Sequence, residues 1–160
     1  EPIACEDIDL VAGLDAMGFI LGAAIATRIN RGFLPIRKSG KLCVATEETE
    51  YQNYSGRSQK MEVRTPTFNP GTRVLLVDQW VETGGTMMGA ITLIERQGGI
   101  VAGLVAIVIE ENKLTNSYRS LYKCVSAILP NSEWQRQANN QYFESFKGYD
   151  NKVAFPDPGP

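Results

Sequence analysis

A chain of 160 residues with 43% hydrophobic side chains can bury one substantial core, and its length predicts one domain. The net charge of −2 and the lack of a Lys- and Arg-rich run exclude a broad surface for nucleic acid or acidic membranes, so we expect a small-molecule partner. The chain has no histidine, which excludes a Ser-His-Asp triad and a histidine-ligated metal. Three widely spaced cysteines indicate neither a disulfide framework nor a zinc site, and a reducing cytoplasm is the expected location.

The apolar runs of the first half predict strands and helices in alternation. Three elements are predicted before residue 37, namely a buried strand over 8–14, a helix over 19–29 and a strand over 33–36. The stretch 37–59 is polar and longer than an ordinary connection, so it is predicted to be a loop that is either a functional lid or disordered. Met61, Val63 and Thr65 alternate with charged or polar residues, which predicts a half-exposed strand after this loop.

The second half continues the same alternation. Its predicted elements are a fully buried strand over 74–77, a helix with apolar positions from Met87 to Ile94, a buried strand over 100–109 and a last strand over 124–129. Strands that alternate with helices predict an α/β fold with a central, mainly parallel sheet flanked by helices. We expect a single domain over residues 1–150 and a C-terminal tail over 151–160. No apolar stretch is long enough to predict a transmembrane helix.

The segment 74–86, VLLVDQWVETGGT, joins a buried strand to the next helix. Ligands of open α/β sheets bind beyond the carboxyl ends of the strands, where loops lead into helices. Gly84 and Gly85 let the backbone approach a bound group closely. Thr83 and Thr86 supply hydroxyls, and the free amides at the start of the helix point to the same place. This combination predicts a phosphate-binding loop.

Two acids beside this loop, Asp78 and Glu82, would repel a bare phosphate. They are therefore expected to face another part of the ligand, such as sugar hydroxyls, a magnesium ion or a proton to be removed. The alternative is a tight strand-to-helix turn in which acids near a helix N-terminus interact with the helix dipole. Two familiar phosphate motifs are excluded, because the chain contains no GxxxxGK[ST] and the segment 13–18 does not match GxGxxG.

Three motifs together resemble those of a known enzyme family. VLLVDQWVETGGTM, over 74–87, resembles the phosphoribosyl pyrophosphate (PRPP) signature of type I phosphoribosyltransferases. VAGLDAMGFILGAAIA, over 11–26, and LPIRKSGKL, over 34–42, are similar to the pyrophosphate loop and the basic strand end of adenine phosphoribosyltransferases. The resemblance covers roughly residues 9–110 and implies the type I phosphoribosyltransferase fold, with residues 1–150 as a single phosphoribosyltransferase-like domain.

The resemblance implies an activity and its partners. The chain would transfer the 5-phosphoribosyl group from PRPP to a purine base, with adenine as the closest match, and release pyrophosphate. Magnesium would enter with PRPP, without a direct set of protein ligands, and the implied assembly is a homodimer. An alternative on the same fold is a PRPP- or nucleotide-binding regulatory module with weak or no catalysis.

The resemblance also assigns roles to residues. The 5′-phosphate would bind to Glu82, Thr83, Gly84, Gly85 and Thr86, with Glu82 contributing its backbone. The ribose would face Asp78 and Gln79. The pyrophosphate would bind to Asp15, Ala16, Met17, Gly18, Arg37, Lys38 and Lys41. The loop 42–60 would be a lid that keeps water away from a carbocation-like sugar.

The candidate catalytic groups are Glu82, Asp78 and Glu50. Glu82 stands where hypoxanthine-type members carry the acid that contacts N7 of the purine, so it is the leading candidate for proton handling at the base. In the lid, EYQNYSGR echoes a Glu-Tyr pair of adenine-type enzymes. The corresponding pair is either Glu50–Tyr51 or Asn53–Tyr54, and only the first retains a carboxylate.

Two positions depart from the family pattern, and one aromatic residue has two interpretations. Gln79 replaces the second acid of the usual pair, which keeps hydrogen bonding to a hydroxyl and loses the charge. Met17 stands where adenine-type members have an arginine on the pyrophosphate, which weakens the adenine assignment in particular. Trp80 either stacks under a nucleobase or belongs to the core.

Overall fold

The computed structural model describes residues 3–53 and 56–138. The strands are β1 (Leu10–Leu14), β2 (Gly32–Lys38), β3 (Thr46–Gln52), β4 (Ser58–Arg64), β5 (Arg73–Val77), β6 (Trp80–Val81), β7 (Ile100–Ala106), β8 (Val108–Ile109) and β9 (Cys124–Ser126). The helices are α1 (Met17–Arg28), α2 (Gly85–Arg96), α3 (Lys113–Leu121) and α4 (Glu133–Ala138), preceded by a short 3-10 helix over Cys5–Asp7.

A seven-stranded sheet forms the centre of the fold, in the order β3-β4-β2-β1-β5-β7-β9. Strands β2, β1, β5, β7 and β9 pair in parallel, whereas β4 pairs antiparallel with both β2 and β3. A second, two-stranded sheet pairs β6 with β8. The predicted α/β class with a mainly parallel sheet is therefore confirmed.

Each face of the sheet has its own hydrophobic core. Ala12 of β1 and Leu76 of β5 are register neighbours, and both pack on the side that α2 covers. Val11 and Leu75, one residue earlier, pack on the opposite side with residues of α1. Successive strand side chains point to opposite faces, so a strand buried on both faces must be apolar throughout. This is why the run 74–77 contains only aliphatic residues.

The prediction of a loop over 37–59 is wrong. Strand β2 extends to Lys38, and the segment Thr46–Gln52 is a strand that pairs antiparallel with β4 along its whole length. The β3 sequence TEETEYQ has no hydrophobic run, so its pattern resembled a loop. Tertiary packing overrides that pattern, because Thr49 and Tyr51 alternate inward and are buried while their neighbours remain outside.

Other predicted boundaries also need correction. The strand predicted over 100–109 is divided at Ile107 into β7 and β8, because β8 leaves the main sheet to pair with β6. The last strand is shorter than predicted and covers Cys124–Ser126. The predicted tail, 151–160, lies outside the described residues. Within the described part of the chain, no helix combines the length and hydropathy needed to span a bilayer.

Candidate active site

A cavity of about 430 Å³ lies at the carboxyl edge of the parallel strands. It is lined by Asp15, Ala16, Met17, Lys38, Tyr51, Asn53, Arg57, Gln59, Asp78, Gln79, Trp80 and Thr86. A smaller cavity of about 60 Å³ is lined by Asp78, Trp80, Val81, Glu82, Thr83, Gly84, Thr86 and Met87. Three residues line both cavities, namely Asp78, Trp80 and Thr86. The structure thus joins the predicted phosphate loop, ribose contacts and pyrophosphate turn in one continuous site.

The phosphate loop owes its shape to Gly84. This residue is the N-cap of α2 and has a φ of 91°, in the left-handed region that glycine adopts without steric cost. Gly84 has no side chain, so no N-cap side chain accepts hydrogen bonds from the backbone amides in the first turn of α2. Those amides form a site for an anion at the positive end of the helix dipole.

Gly85 is needed for a reason that the sequence does not reveal. A Cβ atom built at this position would overlap the carbonyl oxygen of Gln52, the last residue of β3. The β3–β4 hairpin therefore lies directly against the start of α2, and Gly89 is likewise in close contact with Met61 and Tyr51. Close approach of the hairpin therefore accounts for the second glycine of the loop.

Asp78 is the carboxylate that both cavities share. Its backbone amide donates to the carbonyl oxygen of Val105 at 3.0 Å, which fixes it at the end of β5. Its Oδ1 accepts a hydrogen bond from the amide of Gln79 at 2.7 Å. Burial raises the pKa of Asp78 to about 6, and the Gln79 amide opposes part of this rise. A carboxyl group with this pKa is mostly ionised at neutral pH, and it gains a proton under mildly acidic conditions.

Glu82 and Trp80 line the smaller cavity together with residues of the phosphate loop. Glu82 is half-buried and lines the smaller cavity only. Trp80 is half-buried, and its Nε1 donates to Oε1 of the buried Glu110 at 2.6 Å. The indole is therefore held in place by the Glu110 carboxyl group while the residue borders both cavities. The position of Trp80 is therefore compatible with both interpretations, contact with a nucleobase and packing.

The predicted pyrophosphate residues divide into two groups. Asp15, Ala16, Met17 and Lys38 line the large cavity. Gly18 is buried in packing, since a Cβ there would lie 2.6 Å from the carbonyl oxygen of Val77. Arg37 does not line the large cavity, and its Nε lies 3.6 Å from Oδ2 of Asp15 while its guanidinium lies 5.9 Å from the centre of the Phe19 ring.

Lys41 does not line the large cavity either. Its backbone amide donates to Oε1 of Glu62 at 2.7 Å, and the Leu42 amide donates to the same oxygen at 2.7 Å. These bonds lower the pKa of the Glu62 carboxyl despite the opposing effect of its burial. Lys41 thus belongs to a turn that is anchored on β4, and its side chain is not among those that line the cavity.

Tyr51, rather than Glu50, faces the site. Tyr51 is 9% exposed, lines the large cavity and donates from its hydroxyl to Oε1 of Gln59 at 2.9 Å. Burial raises the pKa of the Tyr51 hydroxyl, and the carboxylates of Asp15 and Asp78 raise it further. Glu50 is exposed and is the register partner of Lys60 on β4. Asn53 lines the cavity, whereas Tyr54 lies outside the described residues.

Sequence reasoning missed Arg57 and Gln59 as residues of the site. Both come from the start of β4 and its preceding turn, and both line the large cavity. The sequence analysis placed them in the predicted lid 42–60, where a basic and an amide side chain within a polar segment gave no sign of a specific contact. The antiparallel pairing of β3 with β4 places Arg57 and Gln59 at the cavity, so the structure identifies them as site residues.

A glycine turn at a helix N-terminus, with a carboxylate beside it at the carboxyl edge of a parallel sheet, is typical of α/β proteins whose ligands carry a phosphate group. The chain belongs to the phosphoribosyl transferase domain family, whose sequence profile matches residues 4–142. The predicted family is thereby confirmed.

Curated relatives of this chain are named adenine phosphoribosyltransferase. The relative from Chromobacterium violaceum is 48% identical over 103 residues, which are 64% of this chain and 53% of that protein. The relative from Albidiferax ferrireducens is 51% identical over 100 residues, which are 62% of this chain and 51% of that protein. The chain thus spans about half the length of the curated relatives that it matches.

Solved structures of adenine phosphoribosyltransferases share the fold. The enzyme from Thermoanaerobacter pseudethanolicus superposes with a TM-score of 0.68 at 34% identity, covering 74% of this chain and 69% of that chain. The enzyme from Saccharomyces cerevisiae superposes with a TM-score of 0.66 at 28% identity, covering 76% of this chain and 68% of that chain. These similarities agree with the type I phosphoribosyltransferase fold that the motifs predict.

Proposed function

We propose that this protein transfers the 5-phosphoribosyl group from PRPP to a purine base, adenine in the first place, and releases pyrophosphate. The observation that carries this proposal is the union of three parts around one site: the phosphate loop before α2, the carboxylate of Asp78, and the turn 15–17 with Lys38 beside it. Relatives in the family are named as transferases, which favours catalysis over the regulatory alternative.

Ligands in related structures support the same assignment. The adenine phosphoribosyltransferase of Trypanosoma brucei, with a TM-score of 0.68 and 27% identity, was solved in complex with AMP, pyrophosphate and ribose-5-phosphate. The yeast enzyme was solved with adenine and an imino-altritol bisphosphate. A phosphate, a ribose, a pyrophosphate and a base are the groups that the two cavities of this chain would need to hold.

The phosphate loop, residues 82–86, would hold the 5′-phosphate. The smaller cavity beside it, at about 60 Å³, is lined by Thr83, Gly84 and Thr86 of this loop. The first-turn amides of α2 would donate to the phosphate oxygens, and Thr86 borders both cavities, so it lies where the phosphate and the sugar meet. Glu82 would contribute its backbone to this loop.

The ribose and its magnesium would lie beside Asp78 and Gln79. Among the described residues, no group of three or more His, Cys, Asp and Glu side chains is placed to hold a metal ion. One buried carboxylate fits a magnesium ion that takes most of its oxygen ligands from the substrate. Bound with PRPP, magnesium would offset the negative charge of the departing pyrophosphate. Gln79 would bind a hydroxyl without adding charge.

The pyrophosphate would occupy the large cavity against the turn that contains Asp15, Ala16 and Met17. Lys38 would neutralise part of its charge, and we add Arg57 to this set because it lines the same cavity from the hairpin. Arg37 would act through Asp15, to which it is ion-paired, rather than through direct contact. Gly18 would keep α1 close to β5 through packing, and Lys41 would stabilise the turn after β2.

The base would lie next to Trp80, with Glu82 as the candidate group to accept a proton. The β3–β4 hairpin would cover the reaction centre with Tyr51 and Gln59, which excludes water from a carbocation-like sugar. Glu50 lies on the outer face of this hairpin. A catalytic role for Glu50 therefore requires the hairpin to rearrange during turnover.

The decisive experiment incubates the protein with PRPP, magnesium and one base at a time, and follows pyrophosphate release. Adenine, hypoxanthine, guanine, xanthine, uracil and orotate form the panel. We expect turnover with adenine above the other bases. Measurable binding of PRPP without turnover on any base would identify the regulatory module instead. Homodimer formation, testable by analytical ultracentrifugation, and a cytoplasmic location remain predictions.

A further inference from the structure

Two backbone carbonyl groups of the phosphate loop accept hydrogen bonds from side chains at helix α3. Nδ2 of Asn112 donates to the carbonyl oxygen of Glu82 at 2.7 Å. The hydroxyl of Tyr118 donates to the carbonyl oxygen of Gly84 at 2.8 Å, and the Tyr118 side chain is buried with 1% exposure. Neither cavity is lined by Asn112 or by a described residue of α3. These contacts therefore reach the loop on the side away from the ligand site.

The direction of these carbonyl groups sets the direction of the amides that follow them. In a planar trans peptide the C=O of one residue and the N–H of the next point in opposite directions. A Glu82 carbonyl held toward Asn112 turns the amide of Thr83 away from α3. A Gly84 carbonyl held toward Tyr118 does the same for the amide of Gly85. A carbonyl rotated to the ligand side would repel a phosphate, whereas an amide attracts it.

Asn112 is itself locked in one orientation. Its Oδ1 accepts the amides of Leu114 at 2.9 Å and Thr115 at 3.0 Å, which caps α3. Oγ1 of Thr115 accepts the amide of Asn112 at 3.0 Å and completes a capping box. With the oxygen committed to the helix, the Asn112 nitrogen is directed to Glu82. The cap and the loop contact thus use different atoms of one side chain.

Tyr118 supports Gly84 by packing as well as by hydrogen bonding. A Cβ at Gly84 would lie 3.1 Å from the Tyr118 ring, so the ring lies directly against the loop. The Gly84 carbonyl also accepts the amide of Met88 at 2.9 Å, the first hydrogen bond of α2. Burial raises the pKa of the Tyr118 hydroxyl well above its ordinary value, so it remains a donor at any physiological pH.

We propose that Asn112 and Tyr118 are positioning residues that hold the loop 82–85 with its amides facing the 5′-phosphate. This inference rests on the proposed function of the loop. The two side chains do not touch the ligand, and they act through the carbonyl groups of Glu82 and Gly84. Helix α3 would thereby preorganise the phosphate site, which reduces the cost of ordering the loop upon binding.

Two conservative variants separate this role from folding. Tyr118→Phe keeps the ring against Gly84 and removes the hydroxyl. Asn112→Ser keeps a residue type that caps helices and adds no charge, but it loses the amide donor to Glu82. Tyr122→Phe is the matched control, because its hydroxyl donates at 3.0 Å to Glu95 on the surface rather than to the loop.

The probe is ribose 5-phosphate, titrated by calorimetry into each full-length variant. Loss of one such hydrogen bond should raise the Kd by roughly three- to tenfold in Tyr118→Phe and in Asn112→Ser, with Tyr122→Phe at the wild-type value. The KM for PRPP should rise in parallel while kcat changes less, because the loop binds the phosphate in the ground state and the transition state alike.

Other outcomes overturn the inference. An unchanged Kd in both variants, with only a lower Tm, would show that α3 merely stabilises the fold, and the proposed function would stand. A Kd that rises equally in Tyr122→Phe would show general softening of α3 rather than positioning. A wild-type protein that binds neither ribose 5-phosphate nor PRPP would remove the proposed function together with this inference.

Discussion

The carbonyl oxygen of Gln52, at the end of β3, lies directly over the Cα of Gly85, the first residue of α2. Gly85→Ala should gain helix propensity but force the hairpin away from the phosphate loop, since the new Cβ would overlap that oxygen. We expect kcat/KM for PRPP to fall by at least about tenfold, because misplaced site elements cost transition-state stabilisation. Steady-state kinetics on the purified variant would measure this.

Gly32→Ala is the matched control for that substitution. Gly32 begins β2 at the opposite end of the strand from the site, and a Cβ there would meet only the flexible end of Leu10 at 3.1 Å. Its activity should stay near that of the wild type. Equal activity of Gly85→Ala and Gly32→Ala would show that the hairpin contact is unimportant for the site.

Asp78 should make stability depend on pH in an uncommon direction. Its pKa rises from 3.8 to about 6 upon folding, so the native state holds the proton more tightly than the unfolded state. This group therefore favours folding below pH 4, and that contribution is lost as the pH rises from about 4 to about 6. Asp78→Asn should be more stable than the wild type at pH 7.5, by ~1–2 kcal/mol after allowance for partial exposure, in urea denaturation.

Asp9 offers a control of opposite sign. The Arg73 guanidinium lowers the pKa of Asp9 from 3.8 to about 2, so its contribution is present above pH 4 and is lost as the pH falls toward 2. Asp9→Asn should thus lose stability at pH 7.5.

Asp78→Asn should also weaken PRPP binding. An Asp78→Asn variant that is both less stable than the wild type and fully able to bind PRPP would contradict the role given to Asp78.

Tyr51 and Glu50 are neighbours on β3 with opposite orientations, so paired substitutions test which of them serves the reaction. Tyr51→Phe removes the hydrogen bond to Gln59 inside the cavity. We expect a fall in kcat of roughly three- to thirtyfold, larger than the fall in Glu50→Gln, from steady-state kinetics with PRPP and adenine. The reverse ranking would mean that the hairpin rearranges during turnover and brings Glu50 inward.

Arg57 should bind the pyrophosphate part of PRPP. Arg57→Gln removes a cation that lines the cavity, so the KM for PRPP should rise by about three- to tenfold, with the difference from the wild type shrinking at high ionic strength. Arg64→Gln, at the exposed end of β4, removes the same charge outside the cavity. Identical KM values for the two variants would argue against direct contact by Arg57.

Local sequence patterns were sufficient for the fold class and for the glycine turn at the centre of the candidate site. Continuous aliphatic runs such as 74–77 are required of strands that are covered on both faces, so they predicted the parallel sheet. The phosphate loop was equally readable, because two glycines, flanking hydroxyls and a helix N-terminus act within a few consecutive residues. Asp78 belongs to the same short segment, so its place at the cavity followed from the loop.

Contacts between distant segments were decided by the tertiary structure alone. The polar sequence of β3 becomes a strand only through its register with β4, and that register turns Tyr51 inward and Glu50 outward. Arg57 and Gln59 line the cavity because the register of the hairpin places them there. Asn112 and Tyr118 contact the loop 82–85 from a segment that no motif links to it. A local pattern specifies the torsions and the amphipathic face of its own segment, whereas pairing and burial depend on partners elsewhere in the chain. The sequence by itself therefore determined the glycine turn before α2, and the tertiary structure decided what surrounds and supports it.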